Sequence, residues 1–86
     1  MENTSTQGNP QPKVVIYTTP TCTYCHMAID YFKANNIKYE EQDASDPKIG
    51  QALFERTGQL AVPVIDIGGR IVVGFDRGRI EGYLKA

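Results

Sequence analysis

Cysteine and histidine are scarce in this sequence of 86 residues, its net charge is small, and long hydrophobic runs are absent. A formal net charge of -1 predicts no broad affinity for nucleic acid or for an anionic membrane surface. No apolar run approaches the roughly 18 residues that cross a bilayer, and the first residues lack the basic region and apolar core of a signal peptide. These features favour a cytoplasmic protein that does not associate with membranes.

Two cysteines, Cys22 and Cys25, and one histidine, His26, limit the metal chemistry that the chain can support. A structural zinc site uses four ligands, and adjacent residues such as Cys25 and His26 point in different directions on a helix. A complete zinc site within one chain is therefore not expected. A site that bridges two chains stays open, and so does the interpretation of both cysteines as inert core residues.

The spacing of the cysteines also argues against a structural disulfide. The entropic benefit of a bridge grows with the length of the loop that it closes, and only two residues separate Cys22 from Cys25. Close cysteines in a reducing compartment more often indicate redox chemistry.

The start of the chain differs in composition from the rest. Residues 1–12 are polar, contain two prolines and show no apolar periodicity, which predicts a flexible tail. Residues 13–86 carry regular strand and helix patterns and are predicted to form one domain.

The first half of that domain predicts a strand, a helix and a second strand. A continuous β-favouring run covers residues 14–17, and a weaker run covers residues 37–42. The helix between them should begin at Cys22 and end near Asn35. Its apolar stripe follows i, i+3, i+4, i+7 spacing and consists of Cys25, Ala28, Ile29 and Phe32.

The next segment predicts a second helix. Asp46 followed by Pro47 is an N-cap with proline at the first helical position. Gly58 suits the helix C-terminus. The buried side of this helix is predicted to contain Ile49, Ala52 and Leu53.

The last third of the chain predicts a hairpin and a short helix. Residues 62–67 and 70–73 form two strand patterns joined by a Gly68-Gly69 turn. Asp76 can cap a last helix, whose buried residues would be Ile80, Tyr83 and Leu84. The complete order is β-α-β-α-β-β-α, with parallel strands in the first β-α-β unit and an antiparallel pair in the hairpin.

The central chemical feature is the pair Cys22 and Cys25 at a helix start. Residues i and i+3 share a helix face, so the two sulfurs can meet in a disulfide. The unpaired amides and positive dipole of the helix N-terminus stabilise a thiolate at Cys22. Cys25 begins the apolar stripe and should be more buried. We therefore predict that Cys22 attacks a substrate disulfide and that Cys25 resolves the mixed disulfide.

Three segments then give the chain a family resemblance. Residues 17–26 (YTTPTCTYCH) resemble the active-site segment of glutaredoxins, residues 61–64 (AVPV) resemble their cis-proline loop, and residues 73–76 (VGFD) resemble the glycine-rich turn before their last helix. The resemblance spans roughly residues 13–85. It implies a thioredoxin-like α/β fold with a four-stranded mixed sheet and three helices.

The resemblance also implies a substrate groove around Pro63, with a cis bond between Val62 and Pro63. A proline that simply opens a strand is the alternative. Phe75 is either an exposed contact or a core residue. Asp76 caps the last helix, and in glutaredoxins the matching acid also holds the amino end of glutathione. The expected groove residues are Thr19, Tyr24, Val62, Pro63, Gly74, Phe75 and Asp76.

Two departures from the family pattern concern the substrate and the electron donor. Thr23 replaces the proline of the common Cys-Pro-Tyr-Cys form, and Thr19 stands where many glutathione-using glutaredoxins carry lysine. A neutral hydroxyl binds a carboxylate more weakly than a charged donor does, so the affinity for glutathione is in question. The Gly74-Phe75 pair resembles the turn of ribonucleotide-reductase redoxins, which take electrons from thioredoxin reductase.

The function that these patterns predict is the reduction of protein disulfides or glutathione mixed disulfides by a monomer. The electron donor is either glutathione or a thioredoxin reductase. No tightly bound cofactor is expected, with glutathione as a co-substrate. One rival is a homodimeric iron–sulfur carrier with Cys22 and glutathione as ligands, and another is a binding module without redox activity.

The remaining charged and polar side chains are interpreted as solvated faces rather than as catalytic groups. His26 could serve as a base, although a solvated helix position is the simpler interpretation. The charged residues assigned to solvated faces are Lys33, Lys38, Glu40 and Glu41.

Overall fold

Seven elements follow one another in the predicted order in the computed structural model, which describes residues 12–59 and 61–85. Apart from residue 12, the predicted tail lies outside the described residues. The strands are β1 (Val14–Thr18), β2 (Glu40–Asp43), β3 (Val64–Ile67) and β4 (Arg70–Val73). The helices are α1 (Thr23–Ala34), α2 (Pro47–Thr57) and α3 (Arg77–Lys85).

The four strands of the described residues form a mixed sheet in the order β2-β1-β3-β4. Strand β1 runs parallel to β2 and antiparallel to β3, which in turn pairs antiparallel with β4. This arrangement confirms the parallel first unit and the antiparallel hairpin. Gly68 and Gly69 form the hairpin turn with φ values of 60° and 95°, a backbone region that glycine enters without steric penalty.

The structure corrects the predicted bounds of three strands, and the first of them extends one residue further, to Thr18. The second strand lies at Glu40–Asp43 rather than at 37–42, because pairing with β1 selects this acidic segment over the more apolar residues before it. The third strand begins at Val64 rather than at Val62, since the preceding Pro63 has no N–H to donate to a ladder.

The core lies between the sheet and helices α1 and α3. The predicted stripe of α1 is confirmed, with Cys25, Ala28 and Phe32 buried and Ile29 half-buried. The buried cluster consists of Val14, Ile16, Ala28, Phe32, Ile65, Ile67, Val72 and Ile80. Tyr83 and Leu84 of α3 pack against it as half-buried residues.

Helix α2 begins and ends at the predicted residues. Asp46 accepts a hydrogen bond from the Lys48 N–H at 2.9 Å, and Gly58 caps the C-terminus. Only part of the predicted buried side is correct, since Leu53 is buried and Ile49 half-buried, whereas Ala52 is exposed. Within the ranges 12–59 and 61–85, no helix is long and apolar enough to cross a membrane.

Candidate active site

Cys22 lies at the junction between the loop that follows β1 and the start of α1. It is the N-cap residue, with extended backbone angles, and its Sγ accepts a hydrogen bond from the Cys25 N–H at 3.2 Å. Its own N–H donates to the Thr19 carbonyl oxygen at 3.3 Å. The half-buried sulfur therefore sits where an anion gains about 0.3–1 kcal/mol from the helix dipole.

Cys25 lies one turn deeper and is only 1% exposed. Burial raises the pKa of its thiol from 9.0 to about 12, and a hydrogen bond with Cys22 acts in the same direction. The backbone of Thr19 opposes this rise in the pKa of Cys25. Both cysteines are free thiols. The pair thus combines an accessible sulfur at a helix N-terminus with a buried thiol that holds its proton.

The loop around Pro63 is connected to Thr19 and to the turn after β4. The bond between Val62 and Pro63 is cis, as the resemblance predicts. The Gly74 N–H donates to the Pro63 carbonyl oxygen at 2.8 Å, which joins the turn after β4 to this loop. Thr19 and Val62 line one apolar cavity of about 100 Å³. A series of contacts thus links Cys22 to Thr19, Thr19 to Val62 across this cavity, and Pro63, which follows Val62, to Gly74.

The other predicted groove residues have different surroundings. Tyr24 is 63% exposed on the first turn of α1. Phe75 is half-buried and packs against the core, with its ring 5.9 Å from the ring of Tyr31; a role in substrate contact stays a prediction. Asp76 accepts a hydrogen bond from the Arg79 N–H at 3.1 Å, which confirms its role as a cap.

A polar contact behind Cys25 was not predicted from the sequence. The Thr18 hydroxyl donates to the Glu41 carboxylate at 2.9 Å, and both residues line a cavity of about 260 Å³ together with Cys25 and His26. Glu41 is exposed, as expected of a solvated face, yet it also contacts a buried residue of β1. The parallel pairing of β1 with β2 creates this contact, and the local sequence contains no signal that predicts it.

Metal ligands do not gather at this site. In the part of the chain that the structure describes, no group of three or more histidine, cysteine, aspartate or glutamate side chains could hold a metal ion. His26 places its Nε2 3.4 Å from the Pro20 carbonyl oxygen on an exposed part of α1.

Comparison with known proteins places this site in a family. The family model described as Glutaredoxin matches residues 14–72. An uncharacterized glutaredoxin-like 8.6 kDa protein in the rubredoxin operon of Clostridium pasteurianum is 38% identical over 73 residues, which cover 84% of this chain and 97% of the relative.

Solved structures agree with the fold. A crystal structure of a thioredoxin-like protein superposes with a TM-score of 0.76 and 30% identity, covering 84% of this chain and all (100%) of that chain. The glutaredoxin-like NrdH-redoxin of Escherichia coli shares the fold with a TM-score of 0.74 and 22% identity, over 81% of this chain and 92% of its own. Together with the family match, these findings show that the chain belongs to the glutaredoxin family of the thioredoxin superfamily, as a redox protein whose paired cysteines are Cys22 and Cys25.

Proposed function

We propose that this protein is a dithiol thiol–disulfide oxidoreductase in which Cys22 is the nucleophile and Cys25 the resolving thiol. The difference between the two sulfurs carries the proposal. The Cys22 Sγ is half-buried and accepts a backbone N–H at the start of α1, whereas Cys25 is buried and its pKa is raised to about 12. Exchange requires a thiolate that attacks the substrate disulfide and a second thiol that stays protonated until the mixed disulfide has formed.

The reaction transfers two electrons from the protein to its substrate. The Cys22 thiolate attacks a substrate disulfide, and the first substrate sulfur leaves as a thiolate. Cys25 then loses its proton and attacks the Cys22 Sγ, which forms the Cys22–Cys25 bond and releases the second substrate sulfur. The substrate disulfide is reduced, the protein dithiol is oxidised, and the released thiolates take up protons from water.

The substrate would lie across the surface that joins Thr19, Val62, Pro63 and Gly74. Thr19 accepts a hydrogen bond from the Cys22 N–H, and the four residues offer backbone groups and small uncharged side chains. Such a surface suits an extended peptide, which pairs through its main chain. Protein disulfides and glutathione mixed disulfides both meet this description.

The function is tested by the reduction of insulin disulfides with dithiothreitol as the terminal donor. The wild-type protein is expected to accelerate insulin precipitation, and Cys22→Ser is expected to remove the acceleration completely. A matched control is Thr21→Ser, a neighbouring exposed position, which should keep it. Equal acceleration by wild type and Cys22→Ser would contradict the proposal.

The electron donor is decided by a paired assay. Oxidised protein is offered either glutathione with glutathione reductase or thioredoxin reductase alone, and NADPH consumption is recorded in each case. We expect one system to turn the protein over clearly faster than the other. The neutral side chain at Thr19, which supplies no charge for a glutathione carboxylate, favours thioredoxin reductase.

A further inference from the structure

The buried thiol of Cys25 has a polar cavity beside it that the exchange chemistry leaves without a role. This cavity, of about 260 Å³, lies on the side of the sheet that packs against α1. Its titratable lining residues are Cys25 and His26 from α1 and Glu41 and Asp43 from β2. The cavity therefore places ionisable groups next to a thiol that must lose a proton during each turnover.

Glu41 has an unusual position for a carboxylate. It is in register with Ile16 of β1, so its side chain belongs to the sheet face that Ile16 buries against the core. The Thr18 hydroxyl, on the same face and only 4% exposed, donates to the Glu41 carboxylate at 2.9 Å. The carboxylate is thus anchored at the inner edge of the sheet.

The other titratable groups in the cavity are engaged elsewhere. Asp43 accepts hydrogen bonds from the Ser45 N–H and hydroxyl at 2.9 and 2.6 Å, which lower the pKa of its carboxyl and make it a weaker proton acceptor. The His26 ring directs Nε2 toward the Pro20 carbonyl oxygen. In the mixed disulfide, the Cys22 sulfur is bonded to the substrate.

We infer that Glu41 is the proton acceptor for Cys25 in the resolving step, and that Thr18 is a positioning residue that holds the Glu41 carboxylate toward the cavity. The inference rests on the proposed dithiol exchange. As the Cys25 S–H bond breaks, its proton moves to Glu41 and from there to water. The Cys25 sulfur forms its bond to Cys22, and the bond between Cys22 and the substrate sulfur breaks.

The charge of Glu41 has a second effect with the opposite sign. After burial and the hydrogen bond with Cys22, the negative charges of Cys22 and Glu41 also raise the pKa of Cys25. If Glu41 acted only through this charge, its neutralisation would make Cys25 more acidic and would accelerate resolution. If Glu41 accepts the proton, its neutralisation slows resolution. The direction of the rate change therefore separates the two roles.

The test is stopped-flow mixing of the reduced protein with dithiobis(nitrobenzoate). Attack by Cys22 releases the first coloured thiolate at a rate that depends on reagent concentration, and resolution by Cys25 releases the second at a rate that does not. We expect Glu41→Gln to slow the second phase about 100-fold or more, within the range of general base catalysis, while the first phase changes less than about twofold. Glu41→Asp, which keeps a carboxylate, should retain a faster second phase than Glu41→Gln.

The matched control is Glu40→Gln, which removes the same charge from the opposite face of β2, where Glu40 pairs with Val15. This control should leave both phases unchanged. An unchanged or faster second phase in Glu41→Gln would overturn the inference and leave Glu41 as an inward charge that protects an edge strand. Absence of the second phase in the wild type would instead contradict the proposed function itself.

Discussion

The Cys25 N–H donates to the Cys22 sulfur at 3.2 Å, so the proposed nucleophile accepts a hydrogen bond from the backbone of its partner cysteine. This contact exists because Cys22 is the N-cap of α1 and Cys25 is the third residue of that helix. The same helix that exposes one sulfur at its start carries the other into the core one turn later. The different roles proposed for the two thiols rest on this single local geometry.

The buried thiol predicts how stability depends on pH. The pKa of Cys25 rises from 9.0, the ordinary value of a cysteine thiol, to about 12 in the fold, so the native state keeps a proton that the unfolded chain releases between these values. The free energy of unfolding of the reduced protein should therefore fall with rising pH above about pH 9, by at most about 1.4 kcal/mol per pH unit from this group. Urea unfolding at several pH values measures the slope. Cys25→Ala should flatten it, and an equal slope in both proteins would contradict the account.

A close approach between α2 and the loop before it predicts a destabilising substitution. A Cβ at Gly50 would lie 2.7 Å from the Ala44 carbonyl oxygen, whereas a Cβ at Gly82 of α3 would meet nothing within 4 Å. We expect Gly50→Ala to lower the free energy of unfolding by about 1–3 kcal/mol. Gly82→Ala should raise it by up to about 1 kcal/mol through helix propensity. Denaturant unfolding checks both, and stabilisation by Gly50→Ala would contradict the contact.

The contribution of the α3 cap to stability can be tested with two variants of Asp76. Asp76 accepts the Arg79 N–H, and loss of such an N-cap costs about 0.5–2 kcal/mol. Asp76→Ala should lose this amount in thermal or chemical unfolding, while Asp76→Asn, which keeps an oxygen acceptor, should stay close to the wild type. Equal losses in both variants would show that the carboxylate charge, rather than the cap, is what stabilises the helix.

The neutral side chain at Thr19 predicts a gain of glutathione affinity on substitution. A lysine at this position would add a charge-assisted hydrogen bond to a glutathione carboxylate, which exceeds a neutral one by about 1 kcal/mol. Thr19→Lys should therefore lower the KM for a glutathionylated peptide about fivefold. The control Thr21→Lys adds the same charge at an exposed neighbouring residue. A similar decrease in both variants would mean that net charge alone is responsible.

Local signals in the sequence predicted the helix boundaries and the hairpin well. The cap at Asp46, the proline after it, and Gly68 with Gly69 impose backbone geometries that depend on a few adjacent residues. These features are found in the structure as predicted because no distant contact is needed to form them.

Features that depend on distant pairing were harder to predict. Strand β2 is an acidic edge segment whose β-propensity is low, and its strand character comes from its ladder with β1. The contact between Thr18 and Glu41 depends on the same ladder. A charged residue on an edge strand is ordinarily solvated, so the sequence offered no reason to place Glu41 beside Cys25.

The assignment of the two cysteines is tested most directly by trapping the mixed disulfide. Cys25→Ser and Cys22→Ser are each exposed to oxidised glutathione at neutral pH, and the adduct is located by peptide mass mapping. We predict one glutathionyl group on Cys22 in Cys25→Ser and no modification of Cys25 in Cys22→Ser. A glutathionyl group on Cys25, with Cys22 left unmodified, would reverse the roles and contradict the account.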